Sequence, residues 1–185
     1  PPQAVALLAF GDEAKPGARQ AIETLHRQGI RAVMISGDNR SAAEGMARRL
    51  GLKPEAGEVL ADVLPGGKAE AIARLKAAGG AVAMVGDGVN DAPALAAADV
   101  GLAMGSGADV AMHAAGITLM RGDIALVPAA LDISRRTVAK IRQNLFWAFI
   151  YNTAGIPLAA FGLLSPVLAG AAMALSSVSV MSNAL

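Results

Sequence analysis

Ala81-Val82-Ala83-Met84-Val85-Gly86-Asp87-Gly88-Val89-Asn90-Asp91-Ala92-Pro93 is the stretch on which the fold turns. Its first five residues form a short apolar run with the character of a buried strand, and the run stops at a glycine-rich turn. Ligands of open α/β sheets gather outside the carboxyl ends of the strands. Asp87 and Asp91 on a turn at that place suit a hard, oxygen-seeking cation such as Mg²⁺. The glycines let the backbone approach an ion and a phosphoryl group closely, and the Asn90 amide can donate to a phosphoryl oxygen. Asp-Gly and Asn-Asp are also ordinary turn formers, but a bare turn leaves most of the GDGVNDAP string unexplained.

Upstream, short β-rich runs alternate with helical stretches. Residues 4–10 and 31–35 are expected as strands, 16–28 as a helix with Pro near its start, and 41–50 as a helix closed by Gly51. Residues 59–60 are expected as a short strand, 65–77 as a helix, 81–85 as a strand and 91–97 as a short helix. Further short strands are expected at 100–103 and 117–119. Strands separated by helices imply a mostly parallel, doubly wound α/β sheet.

From residue 124 the pattern changes. Residues 124–142 are helical and carry Arg135, Arg136, Lys140 and Arg142, while 144–185 contain no charged residue at all. Two charge-free runs, 144–164 and 167–185, flank a break at Ser165-Pro166, and each approaches the ~20 residues needed to cross a bilayer. Basic residues ahead of the first run place that end in the cytosol, with Trp147 and Tyr151 near the inner boundary. A buried helical hairpin in a large soluble protein is the alternative. Gly155, Pro157, Gly162 and Gly170 weaken helices, yet such residues are tolerated in spans. The expected division is a domain at 1–123, a basic connecting helix at 124–143 and a membrane pair at 144–185.

The chain has 54% hydrophobic and 17% charged residues, and its net charge of +1 gives no reason to expect nucleic acid. The absence of Cys removes disulfides, zinc knuckles and thiolate nucleophiles. The start, Pro1-Pro2-Gln3, has neither an initiator Met nor a signal peptide's basic start. The chain is therefore expected to begin inside a longer protein.

Two further motifs bear on phosphoryl chemistry. Ser36-Gly37-Asp38 sits at the carboxyl end of the strand at 31–35, where a hydroxyl and a backbone N–H in front of a helix can hold a phosphoryl group. Taken alone, it reads better as an ordinary turn. Lys68 opens the helix at 65–77. A lone helical Lys is usually a solvated charge, but a cation is what a transferred phosphate needs.

Hydroxyl, then Lys, then the GDGVND turn, in this order, resembles the haloacid dehalogenase-like fold in its P-type ATPase branch. The resemblance implies that Asp87 ligates Mg²⁺ with Asp91 supporting the acidic site. It gives Ser36, Gly37, Asp38 and Asn90 phosphoryl contacts, and has Lys68 stabilise an aspartyl phosphate. Gly11-Asp12-Glu13 with Lys15-Pro16 resembles the stretch where such chains re-enter this domain after a nucleotide-binding insertion. Ser36 stands where many members carry Thr, and the hydroxyl is kept. The phosphorylated DKTGT sequence and the adenine-binding domain of the family do not occur in these 185 residues, so the chain by itself is not expected to hydrolyse ATP.

The charge-free runs hold Tyr151-Asn152 and Met173-Ala174-Leu175-Ser176-Ser177. A thioether suits Cu(I) and fits Na⁺, Ca²⁺ or Mg²⁺ poorly, and polar groups inside a span are costly unless they face a protein interior or an ion path. Small residues and Met also serve plain helix packing. YN followed by MxxSS resembles the Cu(I)-exporting heavy-metal P-type ATPases. That resemblance implies Tyr151, Asn152, Met173, Ser176 and Ser177 as Cu⁺ ligands, with Ag⁺ not separable from Cu⁺. A Zn²⁺ or Cd²⁺ pump would carry a Lys and an Asp in these runs. The implied partners are ATP, Mg²⁺, the lipid bilayer and a copper chaperone. The implied setting is multi-pass in a bacterial cell membrane, with the phosphorylation domain cytosolic. Two other readings stay open: a membrane-anchored phosphatase of the same fold, and a non-catalytic fragment.

Overall fold

The computed structural model describes residues 13–105 and 107–184, so the strand expected at 4–10 and the Gly11-Asp12 part of the re-entry stretch lie outside the described residues. The chain forms two compact units, Pro1–Ala129 and Ala130–Leu185.

In the first unit, helices and strands alternate. Helix α1 (Ala18–Arg27) precedes strand β1 (Met34–Ile35), helix α2 (Arg40–Leu50), strand β2 (Val59–Leu60) and helix α3 (Gly67–Ala77). Strand β3 (Ala83–Gly86) follows, then helix α4 (Ala92–Ala97), strand β4 (Val100–Met104), helix α5 (Asp109–Ala114) and strand β5 (Ile117–Leu119). All strand pairs are parallel. The pairs form two ladders, β1–β2 and β3–β4–β5. This is the α/β parallel-sheet architecture that the alternation implies, because parallel neighbours require crossover helices.

Several boundaries tighten for local reasons. Helix α1 starts only after Gly17, whose φ of 79° is left-handed. Helix α2 stops at Gly51, φ 82°, where Gly51 N–H donates to Arg48 O at 3.2 Å and Leu52 N–H to Ala47 O at 2.9 Å. That doubly bonded ending needs a residue at ease in the left-handed region. Strand β1 covers only Met34–Ile35 of the expected 31–35, since its partner β2 offers just Val59 and Leu60. Helix α3 begins at Gly67 rather than 65, because Gly67 N–H closes a turn onto Leu64 O at 2.8 Å. Helix α5 was not anticipated; its six residues are too few to show a helical period.

The core is built largely of alanines and a few larger side chains. Ile72, Met84, Ala94, Leu95, Ala103 and Ala111 form one buried cluster, and Ile22, Ala47 and Leu52 another. Small residues let α4 and α5 lie close on β4; a Cβ on Gly101 would sit 2.8 Å from Leu95 O.

Helix α6 (Leu126–Ala160) runs for 35 residues and helix α7 (Pro166–Ala184) for 19. The expected connecting helix and the first charge-free run are thus one continuous helix: the change at 143–144 is in charge, and nothing there interrupts the backbone. The run expected to reach 164 ends at Ala160. Gly162, φ 72°, accounts for this stop. Its N–H donates to Ala159 O at 3.0 Å, and Leu163 N–H donates to Leu158 O at 2.9 Å. Pro157 lies inside α6 and brings no N–H for the Thr153 carbonyl. Among the described residues, Pro166–Asn183 is the helix long and apolar enough to cross a membrane.

Within the second unit α6 and α7 meet along one seam. Tyr151 Oη lies 3.1 Å from Ser179 Oγ, and Asn183 Nδ2 donates to Asn144 Oδ1 at 2.8 Å. Lys140 Nζ donates to the Asn183 carbonyl at 2.7 Å, placing a cation at the negative end of the α7 dipole.

Candidate phosphoryl-transfer site

The site is built where β1, β2 and β3 end. After β3, the chain makes a tight 3₁₀ turn at Val89–Asp91 and enters α4 through Pro93. Asp91 is the hub of this turn and the buried charged residue of the described core, 8% exposed. Its Oδ1 accepts from Lys68 Nζ at 2.7 Å, and its Oδ2 accepts from the Asp87 and Gly88 amides at 3.3 Å each. Both carboxylate oxygens are therefore engaged in holding the turn and the lysine. A Cβ on Gly86 would stand 2.7 Å from Asp91 Cβ, so only glycine leaves room for this fold-back.

Asp87 behaves differently. Its side chain is 55% exposed, and Lys15 Nζ approaches its Oδ2 at 3.5 Å. Its backbone carbonyl accepts from Ala108 N–H at 2.9 Å, and Gly107 presses against that carbonyl closely enough that any Cβ would overlap it. The loop after β4 thus clamps the Asp87 backbone while the carboxylate stays open. Asn90 is exposed on the same turn.

Ser36 ends β1, with its N–H on Leu60 O at 2.9 Å and its carbonyl receiving Val63 N–H at 3.0 Å. Its hydroxyl donates to Asp38 Oδ2 at 2.7 Å and accepts from Asp38 N–H at 3.1 Å. The hydroxyl is thus engaged locally. Gly37 lies against Val63 O, where a Cβ would come to 3.4 Å. Among the described residues no hydrogen bond joins the Ser36–Asp38 turn to the Lys68–Asp91 pair. The structure therefore unites Lys68, Asp87 and Asp91, leaves Asn90 beside them, and keeps Ser36, Gly37 and Asp38 on the neighbouring strand end.

The sequence reading missed two supporting residues. Asn39 caps α2, its Oδ1 accepting Ala42 N–H at 3.0 Å; an Asn just ahead of a helix is a recognisable start signal. Gly107 left no such trace, because its role depends on a contact twenty residues away.

Mg²⁺ fits this donor set through Asp87, an open hard carboxylate at a strand end, since Mg²⁺ keeps several waters and takes few protein ligands. Asp91 fits as the residue that shapes the cradle. Among the described residues no group of three or more His, Cys, Asp or Glu assembles a complete metal site.

The five residues expected in the helices divide between two faces. Tyr151 and Ser176 are half-buried in the α6–α7 seam, whereas Asn152, Met173 and Ser177 are exposed. At ~100° per residue, all three of the latter lie on the same side of the hairpin. Ser177 falls level with Asn152, as Tyr151 does with Ser179. Ser176, ~60° from Met173 around α7, sits nearer the seam, while Ser177, ~40° from Met173, stays outside it. Asn152 Nδ2 donates to Ala148 O at 2.8 Å, and Ser177 Oγ donates to Met173 O at 3.1 Å. Met173 is 72% exposed.

Comparison with known proteins bears on the family and the fold. Residues 2–99 match the haloacid dehalogenase-like hydrolase family. A copper-exporting P-type ATPase of Staphylococcus aureus (strain bovine RF122 / ET3-1) is 55% identical over 179 residues, 97% of this chain and 22% of that protein. The chain thus spans about a fifth of the length of the relatives it matches. A zinc-transporting PIB-type ATPase in the E2.Pi state superposes with a TM-score of 0.85 at 36% identity, covering 95% of this chain and 28% of that one. The catalytic domain of the CPx-ATPase CopB-B superposes with a TM-score of 0.56 at 34% identity, over 63% of this chain and 44% of that one. By its sequence and by the parallel sheet that carries the Lys68–Asp91 cradle, the chain belongs to the haloacid dehalogenase-like hydrolase family.

Proposed function

We propose that this chain is the C-terminal portion of an ATP-driven Cu(I) export pump that cycles through an aspartyl phosphate supplied from elsewhere in the protein. The observation that carries the reading is the coexistence, in one chain, of two features. One is an acidic, lysine-braced cradle at the end of β3; the other is a charge-free helical hairpin with Asn152, Met173 and Ser177 on one side.

In the cradle, Asp87 holds the oxygen that would face Mg²⁺, and Asp91 keeps the turn folded and Lys68 oriented. Mg²⁺, when bound, supplies charge neutralisation for a phosphoryl group. The Lys68 ammonium offers a second positive charge, and the Asn90 amide and Gly37 N–H offer donors. Such fixed donors and charges favour a transferring phosphoryl without reorganisation. Ser36 can contribute once its hydroxyl turns from Asp38.

In the hairpin, Met173 supplies a soft sulfur and Asn152 and Ser177 supply oxygens, a set that favours Cu⁺ or Ag⁺ over harder ions. The relatives named as copper exporters support this choice. The likeness to a zinc transporter bears on the shared fold, since neither helical run here carries the charge a Zn²⁺ path would use. Exposed apolar side chains such as Phe149, Phe161, Val167 and Leu168, 57–81% accessible, call for lipid or further helices around the hairpin. The reading places the hairpin in a bacterial cell membrane, the α/β unit in the cytosol, and ATP and a copper chaperone as partners.

The test is Asp87→Asn in the intact protein. Phosphorylation from ATP should be lost while Cu(I) binding persists. Mg²⁺-dependent turnover at the wild-type rate in that variant would sink the proposal.

A further inference from the structure

The basic residues of α6 are not equivalent. Arg136 pairs with Asp132 at 2.8 Å, and Lys140 is spent on the Asn183 carbonyl of α7. Arg135 and Arg142 are exposed and make no ion pair among the described residues. At ~100° per residue, Arg135, Arg142, Phe146 and Phe149 fall within about 60° of one another, diametrically opposite the Asn144, Ala148, Tyr151 seam. Phe146 and Phe149 are 58% and 63% exposed. This face therefore points away from α7. It changes from guanidinium to phenyl within about 6 Å of helix rise, with Arg135 about 10 Å further from the rings.

We propose that this face of α6 binds the headgroup of an anionic phospholipid on the cytosolic side of the bilayer, an inference that rests on the membrane reading above. A guanidinium presents its donors in a planar fork that matches a phosphate diester. The two arginines reach into the headgroup layer, and the phenyl rings one and two turns further on take the glycerol-proximal methylenes. A lipid fits better than an acidic protein surface, because the same face continues through Thr153 and Ile156 without another charge. An acidic partner would leave the aromatic half unmatched. Juxtamembrane basic residues each strengthen binding to anionic membranes by roughly fivefold.

The test uses the intact protein in nanodiscs of phosphatidylglycerol and phosphatidylcholine, with the lipid retained on the protein counted by native mass spectrometry. Wild-type protein should retain phosphatidylglycerol preferentially. The R135Q/R142Q variant should lose that preference by about tenfold or more, while R136Q, altered on another side of the same helix, should keep it. An unchanged preference in the double variant overturns the proposal. So does an equal loss of metal-stimulated activity in both lipids without a change in retention, which would mark this face as a protein contact. Failure of the wild-type protein to enter a bilayer at all would remove the membrane reading, and this inference with it.

Discussion

Lys68 and Asp91 form an ion pair at 2.7 Å in which the lysine side chain is 21% and the aspartate side chain 11% exposed, and the aspartate's second oxygen takes two backbone amides. Breaking such a pair from one side strands a charge. Lys68→Met and Asp91→Asn should each lower stability by about 2 kcal/mol, less than for a fully buried pair. The double variant should lose less than the two single losses combined. Urea unfolding of the detergent-solubilised chain measures this; strict additivity would show that the two side chains are energetically independent.

Glycine positions in the cradle should rank by what a methyl group meets. At Gly107 it meets the Asp87 backbone, whereas at Gly88 the nearest atom is 3.6 Å away. Gly107→Ala is expected to cost about 1–3 kcal/mol, as overpacking does, and to weaken Mg²⁺-dependent phosphorylation of the intact protein. Gly88→Ala should change both far less. Equal effects on melting temperature and phosphorylation would contradict the clamp.

Asp99 gives the α/β unit an acid-sensitive contact. The Val82 amide donates to its carboxylate at 2.9 Å and Lys76 Nζ lies 2.9 Å away, and these two hold its pKa below the ordinary 3.8. The stabilisation is complete above the unfolded-state value and is lost as pH falls through the lower folded value. The stability gap between wild type and Asp99→Asn should therefore be constant from neutral pH down to about 5 and close below about 4. A gap that widened on acidification would reverse the sign.

The two faces of the hairpin should separate in mutagenesis. Tyr151→Phe removes the hydroxyl that meets Ser179 and should loosen the hairpin by about 0.6 kcal/mol, the average for such bonds in membranes. Met173→Ala should leave hairpin stability alone and lower Cu(I) affinity more than Tyr151→Phe does. Cu(I) titration of the intact protein distinguishes them, and equal affinities for Met173→Ala and wild type would make Met173 a packing residue.

Much of the fold was legible because its signals are local. The Gly51 stop, the two residues of β2 and the Gly-Asp-Gly turn after β3 all follow from neighbours in the chain. What stayed hidden depends on distance. Val82 was expected inside β3, but its N–H goes to the Asp99 side chain and its carbonyl to the Asp99 and Val100 amides, so the ladder starts at Ala83. Lys68 and Asp91 were each singled out, but nothing in their spacing announces that they touch. The inequivalence of Ser176 and Met173 appears only once α7 has a partner helix to face. Asn39, by contrast, carries a purely local signal, an Asn directly ahead of a helix.

Pro157 leaves the Thr153 carbonyl of α6 without its helical donor, one residue past Asn152. A bend at this point has one backbone hydrogen bond fewer to strain than a bend elsewhere in the helix. Helix α6 thus resists bending least next to Asn152, the residue proposed above to offer an oxygen to Cu⁺.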